Sequence, residues 1–463
     1  MKTKLPFTYG ENIMELSFPE GFLAGGLVKT HPPEEILTMA GMNERIDTAL
    51  ARPDGTERLR DMVKGKGVGF VISDEFRWGL QELIVDRMMA EIFAGDPESL
   101  TVFIATGTHD PGVYGKNLIQ AVKTIAEKIG RPVRVMANDC DSGEHVYLGE
   151  TALGTPAEVW DEWLKTEVRV FGHESKHHYM NGYSVADKQV CPGLSSRRTV
   201  TSTHKHALDH EYSSAGRNPH HADESRRRNP FGEDNRYVRK MANRHLIIDG
   251  DLRDVGRVPE FLLDMISSSR SIDWIKAGDL DIVSREMTAA VDKHAVHYIE
   301  RTKYVVISPG GPPACNTLYG VQNCFDMALK FAIKQGGDAL ILAPCAGRPE
   351  LKEEVSGLAP DLKAKLLFWD NLVTWIKRPL EEGKRWIEDN FELYLWKTDR
   401  ILKLQLEQEV KLYLYSDLPD EKVIPGGFIP VKDPDAWISE RAFRNDGMIR
   451  AIDEGNKLLV IPR

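Results

Sequence analysis

Residues 177–193 read HHYMNGYSVADKQVCPG, and ten residues further on 203–206 read THKH. Eight of the fourteen histidines fall between His173 and His221, with one lysine, Lys188, inside the first motif. Clustered histidines serve two chemistries, metal binding and proton transfer near neutral pH. Spacing limits the first. His204 and His206 would point to opposite sides of a strand, so both can hardly reach one metal, and the adjacent His177 and His178 meet the same difficulty. HESKH (173–177) has histidines four residues apart, an arrangement that chelates zinc when it lies on a helix, so a zinc-dependent hydrolase is one reading. His109, in TGTHDP, is a candidate general acid/base. Lys188 is either a surface lysine or a buried amine that neutralises an anion or bonds to a cofactor.

These groups need a scaffold that delivers them to one place. VGFVIS (68–73), TVFIA (101–105), VRVM (133–136) and VRVF (168–171) have the apolar, β-branched composition of buried strands. Between the first three lie WGLQELIVDRMMAEIFAG and GKNLIQAVKTIAEKIG, with apolar residues at helical spacing. Strand and helix in alternation predict an α/β fold with mostly parallel sheets. HLIID (245–249), KYVVISPGG (303–311) and DALILAP (338–344) repeat the theme. SSSRSIDW (267–274) is a candidate hinge, giving an N-terminal α/β domain over 1–272 for cofactor binding and catalysis and a C-terminal α/β domain over 273–440. The tail from about 440 to 463, with LLVIP at 458–462, is expected to rejoin the first domain as a strand. Residues 209–235 are polar and aperiodic and predict a long loop; residues 376–410 predict charged helix. SDEFR, TGTHD, ANDCDS and GHESKHHYMNGYS each follow a predicted strand, so all four belong at the carboxyl edge where open α/β sheets bind ligands.

A net charge of −10 argues against a phosphate-backbone surface, so nucleic acid is not an expected partner. No apolar run approaches the ~20 residues of a membrane span, and the opening MKTKLPFTYGENIMEL lacks an apolar signal core. A cytoplasmic location without a membrane partner is expected. Five scattered cysteines with no CxxC pair indicate neither a disulfide framework nor a thiolate zinc site.

In combination, SDEFR, TGTHD, HYMNGYSVADKQVCPG, THKH, RRNPFGEDNRYVRKMA and SPGGPPACNTLY resemble the lactate racemase family over roughly residues 65–345. The family spaces a histidine ten residues before a lysine and another sixteen after it, as His178, Lys188 and His204 are spaced here. The resemblance implies a racemase or epimerase of a 2-hydroxy acid, working by hydride transfer to and from a nickel-pincer nucleotide. Lys188 would carry that Ni(II) cofactor through a thioamide, and His204 would complete a square-planar nickel site. His109 and His178 would be the two acid/base groups, and Asp74, Arg77, Gly182 and Ser184 would help hold the nucleotide. Cofactor-biosynthesis proteins are then expected partners, beside a small hydroxy acid. The chain departs from the family at Val185 and Ala186, where paired glycines stand, and at Asp110, where an arginine stands. Gly320 and Asn323 occupy the places of a glutamine and a lysine that contact the substrate carboxylate. These losses argue against lactate itself and towards a larger or sugar acid, with Arg197, Arg198 and Arg348 as candidate carboxylate partners. A cofactor-binding homologue without turnover is the non-enzyme reading.

Overall fold

In a computed structural model the described residues are 2–74, 81–268, 271–345 and 360–463. They form two sheets of α/β type. The first has six strands in the order Ser271–Gly278, Glu260–Ser268, Val168–Glu174, Gly67–Ser73, Ser99–Ala105 and Arg134–Ala137. All neighbours are parallel except the edge pair of Ser271–Gly278 with Glu260–Ser268. The Gly67–Ser73 strand is buried along nearly its whole length, as a strand covered on both faces must be. On one face Val68, Phe70 and Ile72 pack against Ile84, Met88 and Val122 from the Gln81–Ala94 and Lys116–Ile129 helices. On the other, Val71, Phe103 and Phe171 meet Trp163, Val190 and Leu194, which carries the Lys188 segment onto the sheet.

The second sheet has five parallel strands in the order Ile429–Pro430, Lys411–Tyr415, Ile333–Leu342, Thr302–Ile307 and Ile449–Ile452. Both chain ends join it. Phe7, Leu16 and Phe18 of the N-terminal hairpin (Lys2–Tyr9 and Asn12–Pro19) pack against Tyr304, Val306 and Trp437. Thr8 donates its backbone N–H to Asp453 at 3.1 Å, tying this hairpin to the tail.

Three expectations about connectivity are corrected. The candidate hinge at 267–274 lies in an antiparallel pair whose register sets Ser268 opposite Ser271, so the first sheet continues to Gly278. The tail does not rejoin the first sheet. Ile449–Ile452 completes an edge of the second sheet beside Thr302–Ile307, and Leu459–Pro462 runs parallel to Val296–Ile299. HLIID forms a separate hairpin, His245–Ile248 with Asp251–Asp254, outside both sheets. The 209–235 segment is less open than its composition suggests. Ser213, Asn218, His220 and His221 are buried, and the Pro230–Arg244 helix begins within it, capped by Asn229. Among the described residues no helix is long and apolar enough to cross a membrane.

Candidate active site

The carboxyl edge of the first sheet opens onto a cavity of about 120 Å³. Asp74, His109 and His173 reach it from the ends of three adjacent strands, and His178, Lys188 and His204 from the segments that follow. Tyr319, Leu393, Tyr394 and Trp396 close it from the side of the second sheet.

The hydrogen bonds of each imidazole assign its tautomer. His109 Nδ1 lies 2.5 Å from Asp74 Oδ2. A carboxylate only accepts, so Nδ1 carries the proton and Nε2 is left as the basic nitrogen, the arrangement by which an aspartate orients a catalytic histidine. Asp74 is 3% exposed, and its Oδ1 has no hydrogen-bond partner among the described residues. His204 donates Nδ1–H to the Val200 carbonyl at 2.7 Å, one turn back on the Arg197–Lys205 helix, which leaves Nε2 as a lone pair. A metal-ligating histidine needs that state, with the other nitrogen held by a carbonyl. Burial pushes the His204 pKa down to about 3, so the ring stays neutral.

His178 is fixed differently. Its Nδ1 accepts the backbone N–H groups of Met180 at 3.3 Å and Asn181 at 3.2 Å, and its Nε2 faces Lys188 Nζ at 2.6 Å. The neighbouring His177 turns the other way, to 3.6 Å from Asp292, and burial lowers its pKa to about 4. The two adjacent histidines therefore separate as strand alternation requires, and only His178 lines the cavity. His204 and His206, expected on a strand, lie instead on a helix and the 3-10 turn that follows it; they too separate, His204 lining the cavity while His206 pairs with Asp234 at 3.0 Å. HESKH is no helical zinc motif: His173 ends a strand and bonds Ser175 at 3.1 Å. Among the described residues no three His, Cys, Asp or Glu side chains converge as a metal site would require.

Lys188 sits in a one-turn helix, Asp187–Val190, whose first residue anchors it. Asp187 accepts from His220 and from Arg239, each at 2.6 Å, and Arg239 also bonds Glu260 at 2.5 Å. Burial alone would raise the Asp187 pKa, but the His220 and Arg239 charges outweigh it and hold the carboxyl well below the usual range. Asp187→Asn breaks this buried set and is expected to cost about 3–5 kcal/mol at pH 7. A depressed folded pKa gives stability that is full above the unfolded value near 4 and is lost as pH falls towards the folded one. The gap in urea midpoint between wild type and Asp187→Asn should therefore narrow below pH ~4.

Gly182 and Ser184 do not line the cavity; they shape the turn that presents His178. Gly182 pairs with His178 at a φ of +79°, and a Cβ there would come within 1.6 Å of the Arg217 carbonyl oxygen. Gly182→Ala should destabilise the protein by ~3 kcal/mol or more, read from its chemical-denaturation midpoint. Ser184 donates its backbone N–H to the Lys176 carbonyl at 2.7 Å, and its hydroxyl lies 3.3 Å from His173 Nε2.

Asp74, expected at the nucleotide, instead engages His109. Arg197 and Arg198 are corrected as substrate partners. Arg197 is held by both oxygens of Asp141 at 2.5 and 2.7 Å and Arg198 by Glu158 at 2.7 Å, and neither lines the cavity. Arg77 and Arg348 lie outside the described residues.

The second-sheet wall escaped sequence reasoning. Tyr394 adopts φ +84°, a conformation rare for a non-glycine residue, and its hydroxyl lies 3.2 Å from Thr108 Oγ1, beside His109. Trp396 stacks on Tyr179 at 5.1 Å, and Arg400 donates to the Tyr179 carbonyl at 3.2 Å. The aromatic residues of FELYLWKTDR (391–400), unusual in so charged a stretch, were the available signal.

A family model described as the lactate racemase N-terminal domain matches residues 9–216. The lactate racemase of Thermoanaerobacterium thermosaccharolyticum is 24% identical over 348 residues, 73% of this chain and 74% of that one. The lactate racemase of Lactiplantibacillus plantarum is 21% identical over 163 residues, 35% of this chain and 38% of that one. The solved apoprotein of the Thermoanaerobacterium enzyme covers 99% of this chain and 100% of its own, with a TM-score of 0.75 at 19% identity, so the fold is common to both. A Thermotoga maritima protein of solved structure covers 94% of this chain and 100% of its own, with a TM-score of 0.58 at 14% identity. Residues 9–216 thus match the lactate racemase N-terminal domain, the sequence is similar to two lactate racemases, and the fold is that of the Thermoanaerobacterium apoprotein.

Proposed function

We propose that this protein is an isomerase, a racemase or epimerase of a 2-hydroxy acid, and that it works with a nickel-pincer nucleotide. The observation that carries the reading is the meeting of His109, His178, Lys188 and His204 on one cavity, with His109 and His204 each held by a hydrogen bond that leaves Nε2 its lone pair. The donor set fits the cofactor. Lys188 offers a nearly buried amine for covalent attachment, and His204 offers one neutral imidazole nitrogen to a metal whose other ligands would come from the nucleotide. When bound, the nucleotide supplies the acceptor and donor of hydride, chemistry that no side chain can perform.

The protein's share is proton transfer and orientation. His109 Nε2, made basic by the Asp74 carboxylate, takes the hydroxyl proton of one enantiomer and returns it when the reaction reverses. His178 is the corresponding group for the other enantiomer, whose hydroxyl is presented differently once the carbon has inverted; to accept that proton at Nε2 its ring must first release the Met180 and Asn181 N–H groups, so that Nδ1 carries the resident proton. The Tyr394 and Trp396 wall excludes water, which would compete for the protons in transit. On this reading the two sheets mark two domains, with the chemistry on the first and closure supplied by the second.

The substrate is proposed to be larger than lactate, such as a sugar acid. Asn323, at a family lysine's place, accepts from Lys397 Nζ at 2.9 Å, so a cation reaches that corner from a different helix. The test is intact-mass and peptide analysis of protein co-expressed with the cofactor-building enzymes, followed by chiral assay of 2-hydroxy and sugar acids. A nickel-containing adduct on Lys188 with epimerisation of one acid is expected. An unmodified Lys188 in cofactor-competent cells would overturn the reading. An adduct without turnover on any acid would favour the binding homologue.

A further inference from the structure

A second cavity, of about 550 Å³, shares no lining residue with the first. Two of its cations, Arg217 and Arg226, precede the Pro230–Arg244 helix, whose Val238 and Ala242 pack in the core beneath the first sheet. Three others belong to the second sheet's side. Arg301 precedes the Thr302–Ile307 strand, Lys330 precedes Ile333–Leu342, and Lys403 follows the Leu395–Leu402 helix. Phe331, Leu459 and Ile461 give the cavity an apolar wall. Such a concentration of positive charge stands out in a chain of net charge −10. The acids that line it, Glu211 and Glu407, are both exposed, whereas the Lys330 side chain is only 16% exposed.

The carboxylates behind the two lysines are already claimed. Asp326 accepts from Arg400 at 3.0 Å and from Gln322 at 2.6 Å. Asp399 accepts from His210 at 2.6 Å and from Lys403 at 3.0 Å. Lys330 is left with Asp326 Oδ1 at 3.5 Å and the face of Phe331 at 4.8 Å. An ammonium held by a carboxylate normally sits about 2.7–2.9 Å from the oxygen. Burial lowers the Lys330 pKa to about 8, the response of a cation short of counter-charge. The exposed Arg301 has no ion pair at all among the described residues.

We infer that this cavity binds an organic phosphate monoester, and that the ligand ties the two sides of the molecule together. A phosphate ester brings nearly two negative charges and three acceptor oxygens, enough to serve Arg217, Arg301 and Lys330 at once. A carboxylate brings one charge and two oxygens. The carbon part of the ester lies on Phe331, Leu459 and Ile461, whose burial adds to the affinity. The tie reaches the reaction cavity through Asp326. Arg400, which shares that carboxylate with Lys330, donates to the carbonyls of Tyr179 at 3.2 Å and Ser213 at 2.7 Å. Once phosphate takes up Lys330, Asp326 is left wholly to Arg400, which holds the residue beside His178 against the Trp396 wall.

Full-length chain made without cofactor-building enzymes is titrated by calorimetry with phenyl phosphate, inorganic phosphate and benzoate. Phenyl phosphate is expected to bind at least ~10-fold more tightly than either of the others. Arg301→Gln and Lys330→Gln should each weaken it by at least ~10-fold, the usual effect of losing a charged donor. Arg301 is exposed, so its variant keeps the test valid should Lys330→Gln fail to fold. Hydrogen exchange read by mass spectrometry should show residues 210–217 and 330–332 protected together on binding. Inorganic phosphate binding as tightly as phenyl phosphate would overturn the ester, and benzoate binding as tightly would overturn the phosphate. The inference also falls if phenyl phosphate does not bind, if Arg301→Gln leaves its affinity unmoved, or if only one of the two segments is protected. None of these readouts involves nickel or turnover, so the racemase reading stands or falls separately.

Discussion

Lys188→Ala protein, co-expressed with the cofactor-building enzymes, is expected to carry no nickel adduct and to turn over hydroxy acids at less than ~10⁻⁴ of the wild-type rate. The size of the effect follows from what the residue supplies. On the proposed reading, a nucleotide without its covalent tether would be held only by reversible contacts, and the group that carries hydride would be lost whenever it dissociated. Lys188→Arg should fail as completely, because a guanidinium keeps the charge but is not a nucleophile at neutral pH. Circular dichroism should be unchanged in both variants, since the segment is fixed by Asp187 and not by Lys188 itself. Activity above one per cent in Lys188→Ala would mean that attachment is dispensable.

Asp74→Asn is expected to lower kcat on the order of 10²–10⁴-fold while KM changes by only a few-fold. The amide can turn its N–H₂ towards His109, and the imidazole then presents Nδ1 as acceptor and Nε2–H to the cavity. The basic nitrogen is thereby lost where it is needed, although every heavy atom stays in place. Asymmetry is the distinguishing result. Asp74 touches His109 and not His178, so the step in which His109 is the base should slow more, and isotope exchange from the two enantiomers should diverge. Equal loss in both directions, with a raised KM, would make Asp74 a binding residue instead.

The first sheet and its chemistry were legible because they are local. Apolar β-branched runs fixed four of its strands, and the fold's own rule then put Asp74, His109 and His173 along one edge. The spacing of His178, Lys188 and His204 carried over intact because a one-turn helix and a nine-residue helix hold it. What failed was long-range. Nothing in Ser267–Trp274 announces that its strands pair with each other. Ile449–Ile452 is apolar enough for either sheet, and only the free edge beside Thr302–Ile307 decides. Arg197 and Arg198 looked available in sequence, but Asp141 and Glu158 claim them from 56 and 40 residues away. Tyr394 and Trp396 belong to a wall that exists only once Trp396 has stacked on Tyr179, and pattern alone carries no sign of that meeting.

The second sheet draws its outer layer from the first residues of the chain and an edge strand from the last. A ribosome therefore delivers the Lys188 side of the molecule whole while the opposite wall is still being translated, because Tyr394, Trp396 and Ile449–Ile452 come late. The N-terminal hairpin must wait through that interval with Phe7, Leu16 and Phe18 unburied, since Tyr304, Val306 and Trp437 do not yet exist. Order of synthesis thus gives the nascent chain a period in which the anchor's side of the cavity is formed and its aromatic cover is not.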